Sequence, residues 1–462
     1  MKKSSNSFMK SAVIRVCKFA HILLTIAMYS FCLYHYNAVH NGHDMGHTRM
    51  NIFVVLYTVI LCFTLRTYKS YNFGNTSSAM LIYSQSLSVL ASGGVFYVVL
   101  VVANSKLFTP VPLLLLLVAQ IVLNVVWSFL GNKLYFTLNK PKKAVVFYNG
   151  KAELLRLRDI IENNKTFTVS EIVEVKEESF ETLSGYLKQN EMAFVAGLEQ
   201  DLRNEIIEYC VKNSVHCYVV PVIGDIIMMG SQHLDVYSVP VFDVSRREIN
   251  IEYAVVKRAI DITCSLVAIV LLSPAMLITA VAIKLYDRGP ALYKQVRLTK
   301  DGKEFKILKF RSMKVNAESD GVARLATDND DRITPVGKII RAIRFDELPQ
   351  LFNILKGDMT IVGPRPERPE IAAQYEEVLP EFALRLQVKA GLTGLAQVYG
   401  KYNTEPYDKL QMDLMYVNQM SFIEDIKLIF ATVKILFLKE STQGTAEGQT
   451  TALVKEEDGA KG

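Results

Sequence analysis

Residues 259–284 read AIDITCSLVAIVLLSPAMLITAVAIK. A helix needs about 20 apolar residues to cross a bilayer, and this run is long enough. Lys257 and Arg258 precede it, and Lys284 and Arg288 close it. Cations at both ends suit a segment that enters and leaves on one positive-inside face. Ser273-Pro274 stands at its centre. Proline removes a backbone donor and clashes with the preceding turn, so a sharp bend is expected there. From these residues alone a kinked spanning helix and a one-face segment are equally open. The choice fixes the side of the membrane on which everything downstream lies.

Upstream, four further apolar runs cover roughly 13–34, 52–65, 80–102 and 111–130. Helices apolar on every face, repeated four times, point to a transmembrane domain rather than a soluble bundle. The first run is too long for a signal peptide, and no small-residue cleavage site follows it. Lys2, Lys3, Lys10, Arg15 and Lys18 precede the first run, Arg66 and Lys69 follow the second, and Lys133, Lys140, Lys142 and Lys143 follow the fourth. The loops between carry only Arg49 and Lys106. This alternation places the N-terminus and everything after the fourth helix in the cytoplasm of a multi-pass plasma-membrane protein. His35, His40, His43 and His47 share the first outward loop and read as a solvated polar segment rather than a metal site.

The 462 residues suggest about three domains at roughly 150 each. Half are hydrophobic and the mean hydropathy is +0.20, which excludes disorder, collagen and coiled coil. A net charge of +6 argues against a nucleic-acid partner. Six cysteines without a CxxC pair give neither a disulfide framework nor a zinc knuckle.

From 141 to 250 short apolar runs at 144–148, 171–175, 193–198, 215–221 and 236–241 alternate with helical patterns at 152–163 and 201–212. This reads as a small Rossmann-like α/β module. Its first turn, Tyr148-Asn149-Gly150-Lys151-Ala152, has one glycine where a dinucleotide loop needs three, so bound NAD is not expected.

Residues 285–400 concentrate arginine, lysine, glycine, proline and paired acids. Lys309 and Arg311 lie two apart, which on a strand puts them on one face. Arg341 and Arg344 lead into Asp346-Glu347-Leu348-Pro349-Gln350. Arg365 lies between Pro364 and Pro366, which hold the backbone on either side. Guanidinium forks match phosphate geometry, so converging arginines suggest a diphosphate ligand. The string DELPQLFNIL is also a well-formed helix start, with Asp346 as cap. Alternatively, Asp346 beside Arg341 and Arg344 is held ionised by a lowered pKa and acts as a nucleophile on phosphorus. Glu347 then holds Mg²⁺, a hard cation that takes one or two carboxylates plus substrate phosphates.

These strings resemble the bacterial polyprenyl-phosphate sugar-1-phosphate transferases, the monotopic phosphoglycosyl transferases. The matching residues are Lys257-Arg258-x-x-Asp261, Ser273-Pro274, Gly289-Pro290-x-x-Tyr293-x-Gln295, Lys309-Phe310-Arg311-Ser312-Met313, Asp346-Glu347-Leu348-Pro349-Gln350, Gly357-Asp358-Met359, Val362-Gly363-Pro364-Arg365-Pro366-Glu367 and Gly391-Leu392-Thr393-Gly394-Leu395-Ala396-Gln397-Val398. The four upstream helices and the α/β module resemble the long members, which start capsule, exopolysaccharide or O-antigen repeat units. The resemblance implies that Asp346 attacks the β-phosphate of a UDP-sugar, expelling UMP, and that polyprenyl phosphate then displaces Asp346. It implies Glu347 as the Mg²⁺ ligand, and Arg341, Arg365, Lys309 and Arg311 as phosphate-binding residues. It also implies a re-entrant helix over 254–286, broken at Ser273 and Pro274. Glucose or galactose as the sugar and undecaprenyl as the lipid are further expectations. Arg344 stands where many members carry a small or neutral residue, and it is left out of the catalytic set.

The expected organisation is therefore a four-helix transmembrane domain (1–140), the α/β module (141–250), a catalytic α/β domain (251–440) and a disordered tail (441–462). Residues 421–439 read as an amphipathic helix lying in the membrane interface, with a helix packed on the catalytic core as the competing reading. A homodimer through the helices or the module is compatible with the sequence. The alternative function is a membrane-anchored regulatory protein that binds lipid phosphate without catalysis.

Overall fold

The computed structural model describes residues 2–40, 46–105, 109–176, 178–236, 239–246, 249–315, 330, 332–400 and 404–435. The tail 441–462 and His43 of the histidine-rich loop lie outside them. The chain forms two compact units, Met1–Pro221 and Val222–Gly462.

The first unit opens with four helices: α1 (Lys2–His40), α2 (His47–Thr67), α3 (Ser78–Asn104) and α4 (Val111–Leu138). Each has a stretch long and apolar enough to cross a bilayer. Their patterning is inverted relative to a soluble bundle. Val16, Phe31, Val59, Val102 and Leu115 point outward, whereas His21, Gln85, Gln120, Asn124 and Ser128 are buried. The buried polar groups satisfy one another. Gln120 Nε2 donates to the Thr25 carbonyl and Tyr57 Oη, and Ser128 Oγ donates to Gln85 Oε1. Such polar pairing, not greasy burial, is what lipid-immersed helices have available to hold together. Tyr29 and Tyr57 stack in the interior with ring centroids 3.7 Å apart.

Strands β1 (Lys142–Tyr148), β2 (Phe167–Glu174), β3 (Met192–Ala196) and β4 (His216–Val219) alternate with α5 (Lys151–Asn163), α6 (Phe180–Gln189) and α7 (Gln200–Asn213). The sheet is parallel in the order β2-β1-β3-β4. Central strands buried on both faces carry the unbroken runs Ala144-Val145-Val146-Phe147 and Met192–Ala196.

The second unit begins at α8 (Ile223–Met229), inside the span that the sequence reading gives to the middle module. Ile226 is buried with Tyr375, Leu410 and Leu414, and Asn418 Nδ2 donates to its carbonyl at 2.7 Å. Strands β5 (Gln232–Val236) and β6 (Val239–Asp243) pair with each other as an antiparallel hairpin instead of extending the parallel sheet.

Helix α9 (Ile251–Asp287) follows, a fifth helix apolar and long enough to cross. It remains helical across Pro274. Proline cannot donate to the Val270 carbonyl four residues back, and Ser273 Oγ donates there instead, at 2.8 Å. Residues 273–274 thus lie within the helical span of α9, with the donor that proline lacks replaced by the serine hydroxyl. Both flanks of α9 are tied to the same unit. Ahead of the proline, Arg258 donates to the Ile354 and Leu355 carbonyls, and Asp261 accepts from Thr360 Oγ1 and Ile361 N. Beyond it, Met276 and Ile283 are buried with Phe310 and Ile340, and Asp287 pairs with Arg311.

The remaining elements are β7 (Leu292–Leu298) and β8 (Glu304–Phe310), α10 (Pro335–Ala342), α11 (Gln350–Lys356), β9 (Thr360–Val362), α12 (Pro369–Val378), β10 (Gly391–Thr393), α13 (Leu395–Tyr399), α14 (Pro406–Gln419) and α15 (Phe422–Ile435). The unit is mostly helical; β7 pairs antiparallel with β8, and β9 parallel with β10. A Cβ on Gly391 would come within 2.1 Å of the Gly363 nitrogen, so only glycines let these backbones meet. Of the two readings of 421–439, packing on the catalytic core is seen for the described part, while Phe422, Ile423 and Val433 stay exposed. Leu428 of α15 is buried with Val362, Val388 and Tyr416, so the helix packs on the core.

Candidate active site

Asp346 and Glu347 sit in a single 3-10 turn, Phe345–Glu347, between α10 and α11. Arg344, just before it, adopts a left-handed backbone with φ of 52°, and this reverses the chain out of α10. Helix α11 starts only at Gln350, with Pro349 at its cap position. The helix-start reading of DELPQ is therefore displaced by three residues, from a cap at Asp346 to one at Pro349, and neither acid caps α11. Asn353 fixes the next turn to β8: its Nδ2 donates to the Lys306 carbonyl and its Oδ1 accepts from Leu308 N.

Glu347 Oε1 accepts from Lys309 Nζ at 3.2 Å and from Arg365 Nη2 at 2.9 Å. Burial alone would raise the Glu347 pKa, but Arg365, Lys309 and Arg344 outweigh it and hold the carboxyl well below its ordinary range. Burial lowers the pKa of Lys309, against the pull of Glu347. Asp346 differs from its sequence expectation. Burial, then the Glu347 charge, push its pKa up, and Lys309, Arg341 and Arg365 only partly offset them. Nearby arginines were visible in sequence, whereas burial beside a second carboxylate was not.

Lys309, Arg341 and Arg365 thus surround the acid pair. Arg311 does not join them. Strand β8 ends at Phe310, and the Arg311 guanidinium turns to Asp287, where Gly289 makes room for it. A Cβ on Gly289 would lie 2.2 Å from Arg311 Nη1. Arg311 therefore anchors the end of α9.

A second charged cluster, absent from the sequence-derived set, stands behind Arg365. Glu367 Oε1 accepts from Lys409 Nζ at 2.9 Å, and Arg297 and Arg385 approach the same carboxylate at 3.9 and 3.7 Å. Burial opposes ionisation, yet Lys409, Arg385 and Arg297 bring its pKa down to about 2. Arg385 is almost fully buried and pairs with Asp413 at 2.6 Å. Arg297 Nη1 donates to the Pro366 carbonyl at 3.0 Å. These partners lie in β7, the segment 380–387 and α14, and no short motif joins them; Glu367 alone sits inside one.

Two adjacent carboxylates amid cations suit a small hard cation and the phosphates it accompanies. Among the described residues no cluster of three or more His, Cys, Asp or Glu could hold a metal by protein ligands alone. That donor set fits Mg²⁺, which keeps water and substrate oxygens in its shell, better than a fully caged ion.

Residues 252–439 match the family described as bacterial sugar transferase. The chain is 43% identical over 187 residues to the UDP-N-acetylgalactosamine-undecaprenyl-phosphate N-acetylgalactosaminephosphotransferase of Aeromonas hydrophila, covering 40% of this chain and 44% of that protein. It is 40% identical to the UDP-glucose:undecaprenyl-phosphate glucose-1-phosphate transferase of Caulobacter vibrioides, over 40% of this chain and 71% of that one. An exopolysaccharide production protein of Rhizobium leguminosarum is 42% identical over 41% of this chain and 97% of its own length. The matched segment spans less than half of the Aeromonas relative and of a Klebsiella pneumoniae glucose-1-phosphate transferase, 44% of each.

Proposed function

Because the chain belongs to the bacterial sugar transferase family, we propose that it moves a hexose 1-phosphate from a UDP-sugar to polyprenyl phosphate. The observation that carries this reading is the Asp346-Glu347 pair in one turn beside Lys309, Arg341 and Arg365. A carboxylate oxygen of Asp346 attacks the β-phosphorus of the UDP-sugar, and the bond from that phosphorus to the bridging oxygen breaks. UMP leaves with that electron pair, and the sugar phosphate stays on Asp346. A phosphate oxygen of polyprenyl phosphate then attacks the same phosphorus, Asp346 departs as carboxylate, and a polyprenyl diphosphate sugar results. Lys309, Arg341 and Arg365 provide positive charge for the phosphate oxygens as charge develops. Mg²⁺ held by Glu347, when bound, supplies further positive charge there and favours ionised carboxylates.

Glucose is the first candidate sugar, since it stands in the names of the Caulobacter and Klebsiella relatives; galactose, the other sugar that the resemblance implies, is the second. Undecaprenyl phosphate, named for both, is the candidate acceptor. We read α9 as entering and leaving the bilayer on the cytosolic face, where nucleotide sugars are found. Support comes from its two flanks, both held by the second unit. The test is the nucleotide released when membranes holding the chain meet Mg²⁺, polyprenyl phosphate and UDP-sugars. UMP is expected; UDP would mean that only the sugar moved, and would remove the nucleophilic role of Asp346.

A further inference from the structure

A cavity of about 600 Å³ lies at the end of the four-helix bundle where α1 and the α2–α3 turn meet. Three cations line it: Lys18 of α1, Arg66 in the last turn of α2, and Lys69 just after it. Ile22, Cys62 and Leu65 form its apolar wall, and exposed Cys62 carries that wall to the outer surface of the bundle.

The cationic rim is built into the backbone. Lys69 adopts a left-handed conformation with φ of 52°, at the position after a helix where glycine is the usual choice. Ser70 N closes the turn on the Leu65 carbonyl at 3.0 Å. Lys18 Nζ lies 5.6 Å from the centre of the Phe73 ring. The Tyr71 hydroxyl, also on the cavity, is fixed by a 2.6 Å hydrogen bond with the buried His21 ring.

Residues 1–140 contain a single carboxylate side chain, Asp44. It falls in the connection between α1 and α2, remote in sequence from Lys18 and from Arg66. We propose that this cavity binds the phosphate headgroup of an anionic lipid, with Lys18, Arg66 and Lys69 on the phosphate and the lipid chain along Ile22, Cys62 and Leu65. A phosphate needs cationic donors, and a membrane lipid also needs a continuous apolar path; the cavity offers both. The proposal rests on the membrane reading of α1–α4 and is independent of the chemistry at Asp346.

The test uses the full chain in phosphatidylcholine nanodiscs doped with phosphatidylglycerol or with polyprenyl phosphate, and undoped discs in inorganic phosphate buffer. Native mass spectrometry reads retained lipid. One phosphatidylglycerol per chain is expected from the phosphatidylglycerol disc; in the polyprenyl phosphate disc one further lipid is expected at the Asp346 site. The Lys18→Gln/Arg66→Gln/Lys69→Gln variant should retain at least about tenfold less in the cavity, given about a kilocalorie per mole for each such cation near a membrane surface, and should keep the lipid at the Asp346 site. Arg66→Gln alone, at an exposed helix end, should give an intermediate loss that Arg66→Lys restores. Lys133→Gln should retain lipid like the parent. Equal retention by the triple variant, or displacement of the lipid by inorganic phosphate at matched concentration, would overturn the site. Release of the chain from membranes by alkaline carbonate would instead overturn the membrane reading on which it rests.

Discussion

Arg385 Nη2 donates to the backbone carbonyl of Arg365 at 2.8 Å, so one buried arginine sets the position of another that reaches Glu347. The first is held in turn by Asp413. Arg385→Ala leaves Asp413 as an uncompensated buried acid and should destabilise the second unit by about 3–5 kcal/mol. Thermal unfolding of the purified variant checks this, and a loss below about 1 kcal/mol would show that the pair is dispensable.

Asp346→Asn removes the attacking oxygen's charge while keeping its shape. UMP release should fall by at least about a thousandfold with folding unchanged. Glu347→Gln should lower activity and raise the Mg²⁺ concentration needed for half-maximal rate. Titration of Mg²⁺ against initial rate reads the shift, and an unchanged requirement would remove Glu347 from the metal assignment.

Glu367 provides a pH signature. Its pKa falls from 4.5 to about 2 on folding, so its stabilisation is present above pH 4.5 and is lost as pH falls toward 2. The integrated contribution is on the order of 3 kcal/mol. The stability gap between the parent and Glu367→Gln should be widest near neutrality and shrink over that acid range. A gap constant with pH would mean that Glu367 acts through packing alone.

Ser273 and Pro274 should be coupled. Ser273→Ala leaves the Val270 carbonyl without the hydroxyl donor, at about 0.5–1.5 kcal/mol. In a Pro274→Ala background the restored backbone N–H takes over, and the same serine change should be nearly neutral. A double-mutant cycle on thermal stability measures the difference, and additive effects would refute the substitution of one donor for the other.

The placement of α9 predicts a labelling pattern. In a cysteine-free background, cysteines at Glu252 and Tyr286 should both react with an impermeant maleimide from the cytosolic side only. Reaction from opposite sides would establish a spanning helix.

The apolar runs made α1 to α4 and α9 legible, because twenty greasy residues in succession have few other uses. Asp346, Glu347, Arg341, Lys309 and Arg365 stood out in sequence through their residue types and the family resemblance, and the structure gathers them about one turn. The pairing of Arg311 with Asp287 was not legible, since alternation along a strand says nothing of where the strand ends. The rise in the Asp346 pKa was hidden because burial is a tertiary property. Arg297, Arg385 and Asp413 each stand alone in sequence, and only folding brings them behind Arg365.

The attachment of α9 at both flanks has a mechanical consequence. Arg258 grips the end of α11, whose beginning follows Glu347; Asp287 grips Arg311, two residues beyond Lys309. A shift in how the bilayer seats α9 would thus reach the acid pair through one flank and Lys309 through the other. Under the proposed transfer, turnover should then vary with acyl-chain length in otherwise matched vesicles, and a rate independent of it would show that the two flanks are uncoupled.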